Sequence, residues 1–175
     1  MRVVLLAVQS LDGFITRHRE PGTAFASADD QSHFSRALKE CDCSVMGGET
    51  YRVSRDLIRS RLTAQRLRMV MTRDPARLAS DAAPGLLEFT DHGPAEIVKQ
   101  LGARGRSRCA LLGGGAVNQL FLEAELVDEV WVTIEPRIFG EGTPLLRGAA
   151  DVKLTLRSVD HLSSQTLLLK YDVKL

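Results

Sequence analysis

Three consecutive glycines, Gly113-Gly114-Gly115, stand between a short apolar run and a segment of helical period. A turn without side chains lets the backbone approach a pyrophosphate, and the following helix offers free N–H donors and the positive end of its dipole. The turn is not the standard dinucleotide fingerprint, because Asn118 holds the third glycine position. It is not a P-loop either, having no Gly-Lys-Ser/Thr. A tight strand-to-helix turn with no ligand explains it equally well. Gly47-Gly48-Glu49-Thr50 is a second such turn. Its Thr50 would cap the helix or bond a phosphate, and capping is the simpler expectation. Thr72-Arg73 ends another apolar run. A hydroxyl and a cation suit a cofactor with an extra ribose phosphate, whereas the unphosphorylated analogue wants an acid on the ribose. Asp74 tempers that charge, and a solvated turn is the plainer reading.

The acids are fewer. Asp12 lies in Ser10-Leu11-Asp12-Gly13, after the first apolar run, where either a substrate or a simple turn would use it. Ser27-x-x-Asp30 resembles a capping box, which gives Asp30 a structural role. Arg52, Arg55, Arg59 and Arg61 read as the solvated face of one helix. The four histidines show no metal-ligand spacing and no nucleophile partner. The H-x-E plus P-C-x-x-C set of zinc nucleoside deaminases is absent. Cys41, Cys43 and Cys109 make no disulfide framework, and no second Cys/His pair completes a zinc site. They read as reduced thiols in or beside a core.

The elements that would position these residues alternate. Strand-like runs fall at Arg2–Val8, Cys43–Met46, Leu67–Thr72, Leu86–Thr90 and Cys109–Leu112. Helical stripes fall at Phe34/Ala37/Leu38/Cys41, Tyr51/Ser54/Leu57/Ile58/Leu62, Ile97/Val98/Leu101 and Val117/Leu120/Phe121/Ala124. Val130, Val132 and Ile134 alternate with Glu129, Trp131, Thr133 and Glu135, as in a half-buried strand. Two further alternating runs end the chain, joined near Asp160–Ser164 as an antiparallel hairpin. The order β-α-β-α-β-β-α-β-α-β, then β only, predicts an α/β fold: a mostly parallel sheet with helices on both faces. Ligands then bind beyond the carboxyl ends of the strands, where the glycines and small polar residues fall.

At 175 residues the chain is expected to be one domain, 1–175. A net charge of +1 argues against a duplex-DNA binder, and 5% aromatic content against a single-strand stacking platform. The apolar run Val3–Val8 is too short for a signal peptide or a membrane helix, so the expected location is the cytoplasm.

These residues together resemble the reductase domain of riboflavin biosynthesis, the RibD C-terminal domain family, which has the three-layer dihydrofolate reductase fold. Leu111–Val117, Leu126-Val127-Asp128-Glu129-Val130 and Pro136-Arg137-Ile138-Phe139-Gly140 carry the resemblance. Ser10–Gly13, the Ser27 helix start, Gly47-x-x-Thr50 and Arg68–Asp74 support it. The resemblance implies NADPH as hydride donor, with no flavin and no metal. It maps Gly47, Thr50, Thr72, Arg73 and Gly113, Gly114, Gly115, Ala116 and Val117 onto cofactor contacts. It maps Asp12, Ser27 and Arg61 onto the side of a phosphoribosylaminopyrimidine, whose former anomeric carbon C1′ takes the hydride. It also implies a homodimer, to which the terminal strands would contribute unless Lys170 and Lys174 guard the edge. A deaminase would then reside on another chain.

Three departures stand out. Leu112 replaces the family's usual Glu before the glycine turn, Ser54-Arg55-Asp56-Leu57 replaces its Asp-Asp-Pro segment, and Gly48 stands where dihydrofolate reductases carry Arg. A competing map follows Asp30-x-x-x-Phe34 and Val45-Met46-Gly47 to dihydrofolate reductase itself. There Asp30 becomes a catalytic carboxyl that holds a pterin-like substrate and relays a proton. A third expectation is a nucleotide-binding module that has lost catalysis.

Overall fold

A computed structural model describes residues 1–174. Its eight strands are β1 (Arg2–Ser10), β2 (Cys43–Gly47), β3 (Leu67–Met71), β4 (Leu87–Thr90), β5 (Arg108–Leu111), β6 (Glu129–Glu135), β7 (Leu154–His161) and β8 (Leu167–Val173). Its five α-helices are α1 (Ala28–Lys39), α2 (Gly48–Val53), α3 (Arg55–Ser60), α4 (Pro94–Ala103) and α5 (Gly115–Glu123). A 3₁₀ helix spans Pro75–Asp81. The strands form one sheet in the order β4-β3-β2-β5-β1-β6-β8-β7. Pairing is parallel from β4 to β6 and antiparallel for β6–β8 and β7–β8. The predicted mostly parallel sheet and terminal hairpin are therefore present.

Alternation along each strand sorts the core into two faces. Val3, Leu5, Val45, Met69, Leu111, Val130 and Val132 pack with Ile97 and Leu101 of α4 and Val117 and Phe121 of α5. Val4, Leu6, Ala110 and Trp131 pack with Ala37, Phe34 and Leu38 of α1. Met46 and Val70 pack with Tyr51 of α2 and Ile58 of α3. So α1, α2 and α3 cover one face, and α4 and α5 the other.

The structure corrects several expectations. The single helix expected over Tyr51–Leu62 breaks at Ser54, the C-cap of α2 and N-cap of α3. Beyond the break, Arg55 and Arg59 reach Asp81 of the 3₁₀ helix at 2.5 and 3.2 Å, so they are pinned and not merely a solvated face. Tyr51 donates to the same carboxylate at 2.8 Å. Arg55 above all holds Asp81 down to about 2.

Next, β6 is not half-buried. Glu129, Thr133 and Glu135 are at most 3% exposed, because α1 packs on the side that alternation assigned to solvent, three arginines close on Glu129, and the Ser27 segment and Thr166 close on Glu135. The edge strand is β7, so Lys170 on β8 guards no edge. Its ammonium sits 4.5 Å from the Trp131 ring and 3.2 Å from Asp160. Lastly, Thr50 does not cap α2; Gly47 holds that position, with no side-chain bond.

Candidate active site

Strands β1 and β5 are neighbours, yet α1 leaves β1 toward one face and α5 follows β5 onto the other. Such a divergence opens a crevice at the carboxyl ends of the strands. The glycine turns meet there. The Gly47 amide donates to the Gly113 carbonyl at 2.7 Å, joining the ends of β2 and β5. The Gly114 amide donates to the Thr50 hydroxyl at 2.8 Å. Thr50 thus ties one turn to the other, and its own O–H proton remains to donate outward. A side chain on Gly48 would stand 3.4 Å from Thr72, so the end of β3 closes against the same place.

Gly113 has φ +72 and precedes a cis peptide to Gly114. Gly114 is the N-cap of α5, and its carbonyl accepts from the Val117 and Asn118 amides. The first N–H groups of the helix, on Gly115 and Ala116, have no intrahelical acceptor, as at any helix start. A Cβ on Gly115 would sit 2.6 Å from the Pro144 carbonyl, so only glycine lets the 144–145 segment lie across the helix. Val117 is buried, and a Cβ on Gly47 would come within 3.0 Å of it. Thr72 is half-buried; Arg73 beside it is exposed and ion-pairs with none of the described residues. The residues named for the cofactor are therefore assembled at one place. The side-chain-free turns and the open helix start fit a dinucleotide pyrophosphate.

Across the crevice, Ser27 caps α1 by accepting from the Asp30 amide at 3.2 Å. The expected capping box is not reciprocal, because the Ser27 amide donates instead to Glu135 at 2.8 Å. Asp30 is 6% exposed, and its carboxyl faces the Thr133 hydroxyl. Burial, opposed by the Thr133 bond and reinforced by the charge of Glu135, pushes it up to about 6. Ser27, Glu135, Arg137, Ser163 and Thr166 line an adjoining cleft of about 370 Å³. Leu112 packs on the same side of the sheet as Phe34 and Leu38 of α1.

Two residues named for substrate are placed differently. Asp12 accepts from the Ser10 hydroxyl at 2.5 Å, from the Gly140 amide at 2.7 Å and from the Phe139 amide at 3.1 Å. Those donors, Ser10 first, hold its carboxyl below the usual range. Both oxygens are engaged inside the protein, so Asp12 clamps the loop after β1 to the loop after β6. Arg61 caps α3 where the chain returns to the amino end of β3, its carbonyl accepting from Arg68 at 2.6 Å. That is the opposite end of the strands from the glycine turns. Among the described residues no group of three His, Cys, Asp or Glu is placed to hold a metal ion. No described helix is long and apolar enough to cross a membrane.

The residue that sequence reasoning missed is Glu135. Alternation assigned it to solvent, and only the long-range placement of the Ser27 loop and the 163–166 turn reveals it. A local signal existed: Glu129, Trp131, Thr133 and Glu135 include no Lys or Arg, which an exposed strand face commonly carries.

The RibD C-terminal domain family matches residues 2–168. No curated protein matches the sequence. Among solved structures, a pyrimidine reductase-like protein from Corynebacterium diphtheriae is 16% identical with a TM-score of 0.77, covering 99% of this chain and 92% of that one. A diaminohydroxyphosphoribosylaminopyrimidine deaminase/5-amino-6-(5-phosphoribosylamino)uracil reductase from Thermotoga maritima is 19% identical with a TM-score of 0.80. RibD of Acinetobacter baumannii is 15% identical with a TM-score of 0.73. This chain is covered to 99% by each of the latter two but spans only 56% and 58% of them. At such identities these likenesses establish the fold.

Proposed function

The chain belongs to the RibD C-terminal domain family, a reductase family of riboflavin biosynthesis, and on that footing we propose that it is an NADPH-dependent reductase of a phosphoribosylaminopyrimidine. The observation that carries this reading is the meeting of Gly47, Thr50, Thr72 and Gly113–Val117 around the start of α5. When bound there, the nicotinamide cofactor supplies a hydride, and no flavin is needed. The glycine turns and the α5 amides would hold its pyrophosphate. Thr72 and Arg73 would hold the extra ribose phosphate, since a hydroxyl and an exposed cation stand together at the end of β3.

In the ring-opened substrate the hydride adds to C1′ of a carbon–nitrogen double bond. The nitrogen gains the bond's electron pair and needs a proton. Asp30 is a buried acid on that side of the sheet, where Leu112 supplies none, and its raised pKa keeps it protonated up to about pH 6. Ser27 orients the helix that carries it.

Arg73→Ala should weaken NADPH binding about tenfold and leave NADH unchanged, because one charge-assisted bond at an exposed site is lost. Fluorescence titration with both cofactors checks this. An unaltered NADPH/NADH ratio removes Arg73 from the site.

One observation favours a second reading. A helix carboxyl against a strand hydroxyl, as Asp30 against Thr133, would also suit a pterin-like ring with adjacent N–H donors. Side-by-side assays with dihydrofolate separate the two.

For assembly, we propose a homodimer through the β7–β8 hairpin. Leu154, Leu156 and Val159 are 39–53% exposed and lie opposite Val173, Tyr171 and Leu169. Light scattering should return twice 19.2 kDa; a monomer mass contradicts the assignment.

A further inference from the structure

Glu135 has no place in the reading above, yet it is more buried than Asp30. It is 3% exposed, at the carboxyl end of β6, and ion-pairs with none of the described residues. One oxygen accepts from the Ser27 amide at 2.8 Å and the other from the Thr166 hydroxyl at 3.3 Å. The first of these donors is the one that a reciprocal capping box would give to the side chain three residues on, here Asp30. Asp30 does not take it, although its own amide already donates to Ser27. Two carboxyl groups thus share one buried corner with no cation between them.

We propose that Glu135 is a positioning residue: by holding the Ser27 amide, it releases the Asp30 carboxyl from the helix cap and leaves it against Thr133 as the site's proton donor. The inference rests on the reading of Asp30 as that donor. A like charge close by disfavours ionisation of the Asp30 carboxyl. Among the described residues no other charge facing the pair competes. The 24–27 segment and the 163–166 turn carry no titratable side chain. On α1, Asp29 is exposed, and His33 packs toward Trp131. Arg137 is exposed at the rim of the cleft.

The test is a ¹³C NMR titration of the Asp30 carboxyl in the free protein, which needs no substrate. Glu135→Gln keeps an oxygen for the Ser27 amide and removes the charge. It should lower the Asp30 midpoint below the wild-type value of about 6. Glu135→Asp keeps the charge and should hold the midpoint near the wild-type value. Glu135→Ala also frees the Ser27 amide for Asp30, which should lower the midpoint further. A Glu135→Ala midpoint no lower than that of Glu135→Gln overturns the proposal, as does a loss of turnover in Glu135→Gln with no change of midpoint, the mark of a merely structural role. A wild-type protein without reductase activity that still shows the Glu135→Gln shift would retire the assigned activity and leave the coupling standing.

Discussion

Asp30→Asn is expected to lower turnover by about 10²- to 10⁴-fold, the usual range for loss of a positioned proton donor, while NADPH affinity stays at the wild-type value. The side chain lies across the crevice from the glycine turns, so its loss touches neither Thr50 nor the α5 amides. Asparagine keeps the shape and a partner for Thr133 but cannot release a proton. The pH profile should change with the rate. A carboxyl raised to about 6 is protonated below that value and active as an acid there. Wild-type kcat/KM should therefore fall as pH rises through that region, and the variant should lack that limb. A variant that keeps most of the wild-type rate would take the proton donor away from Asp30.

The second large effect concerns stability at the other end of β6. Glu129 is 1% exposed and meets Arg2 at 3.0 Å, Arg108 at 3.4 Å and Arg157 at 2.7 Å, and it accepts from the Trp131 indole at 2.9 Å. Glu129→Ala leaves three cations converging on a void and strands a buried N–H. Removing one member of a buried ion pair costs about 3–5 kcal/mol, and because these arginines are partly hydrated about 2–3 kcal/mol is expected. For a chain of this size that shifts Tm by about 4–12 °C. Glu129→Gln still accepts from the indole and should lose roughly half as much. Thermal unfolding of the two variants checks the order. Equal, negligible losses would show that the cluster adds nothing to the fold.

The sheet was largely legible from sequence, because apolar runs of four to six residues bounded by glycine or turn residues are local signals. Gly113–Gly115 announced its turn for the same reason. What escaped was long-range. Ser54 sits inside a continuous helical stripe with no local signal for a break, and the partner of Arg55 and Arg59 beyond it, Asp81, is distant in sequence. The polar side of β6 alternates as a solvated face would, and only α1, the Ser27 segment, the 163–166 turn and three distant arginines bury it. Thr50 and Asp12 behaved alike: each is a residue with a local role on offer, capping or turn formation, that instead bonds a loop distant in sequence. Arg61 failed for a topological reason. A helix that returns to the amino end of its next strand carries its last residue away from the carboxyl ends, whatever its charge.

Reduction of a phosphoribosylaminopyrimidine by NADPH is the reaction proposed for this protein. The most direct measurement follows loss of reduced-nicotinamide absorbance with that substrate and with dihydrofolate in parallel, each with NADPH and with NADH. Oxidation of NADPH with the phosphoribosylaminopyrimidine, formation of a ribitylamino product, and much slower oxidation of NADH are expected. NADPH that binds but is oxidised with neither substrate would contradict the proposed reaction and leave a nucleotide-binding module on a reductase fold.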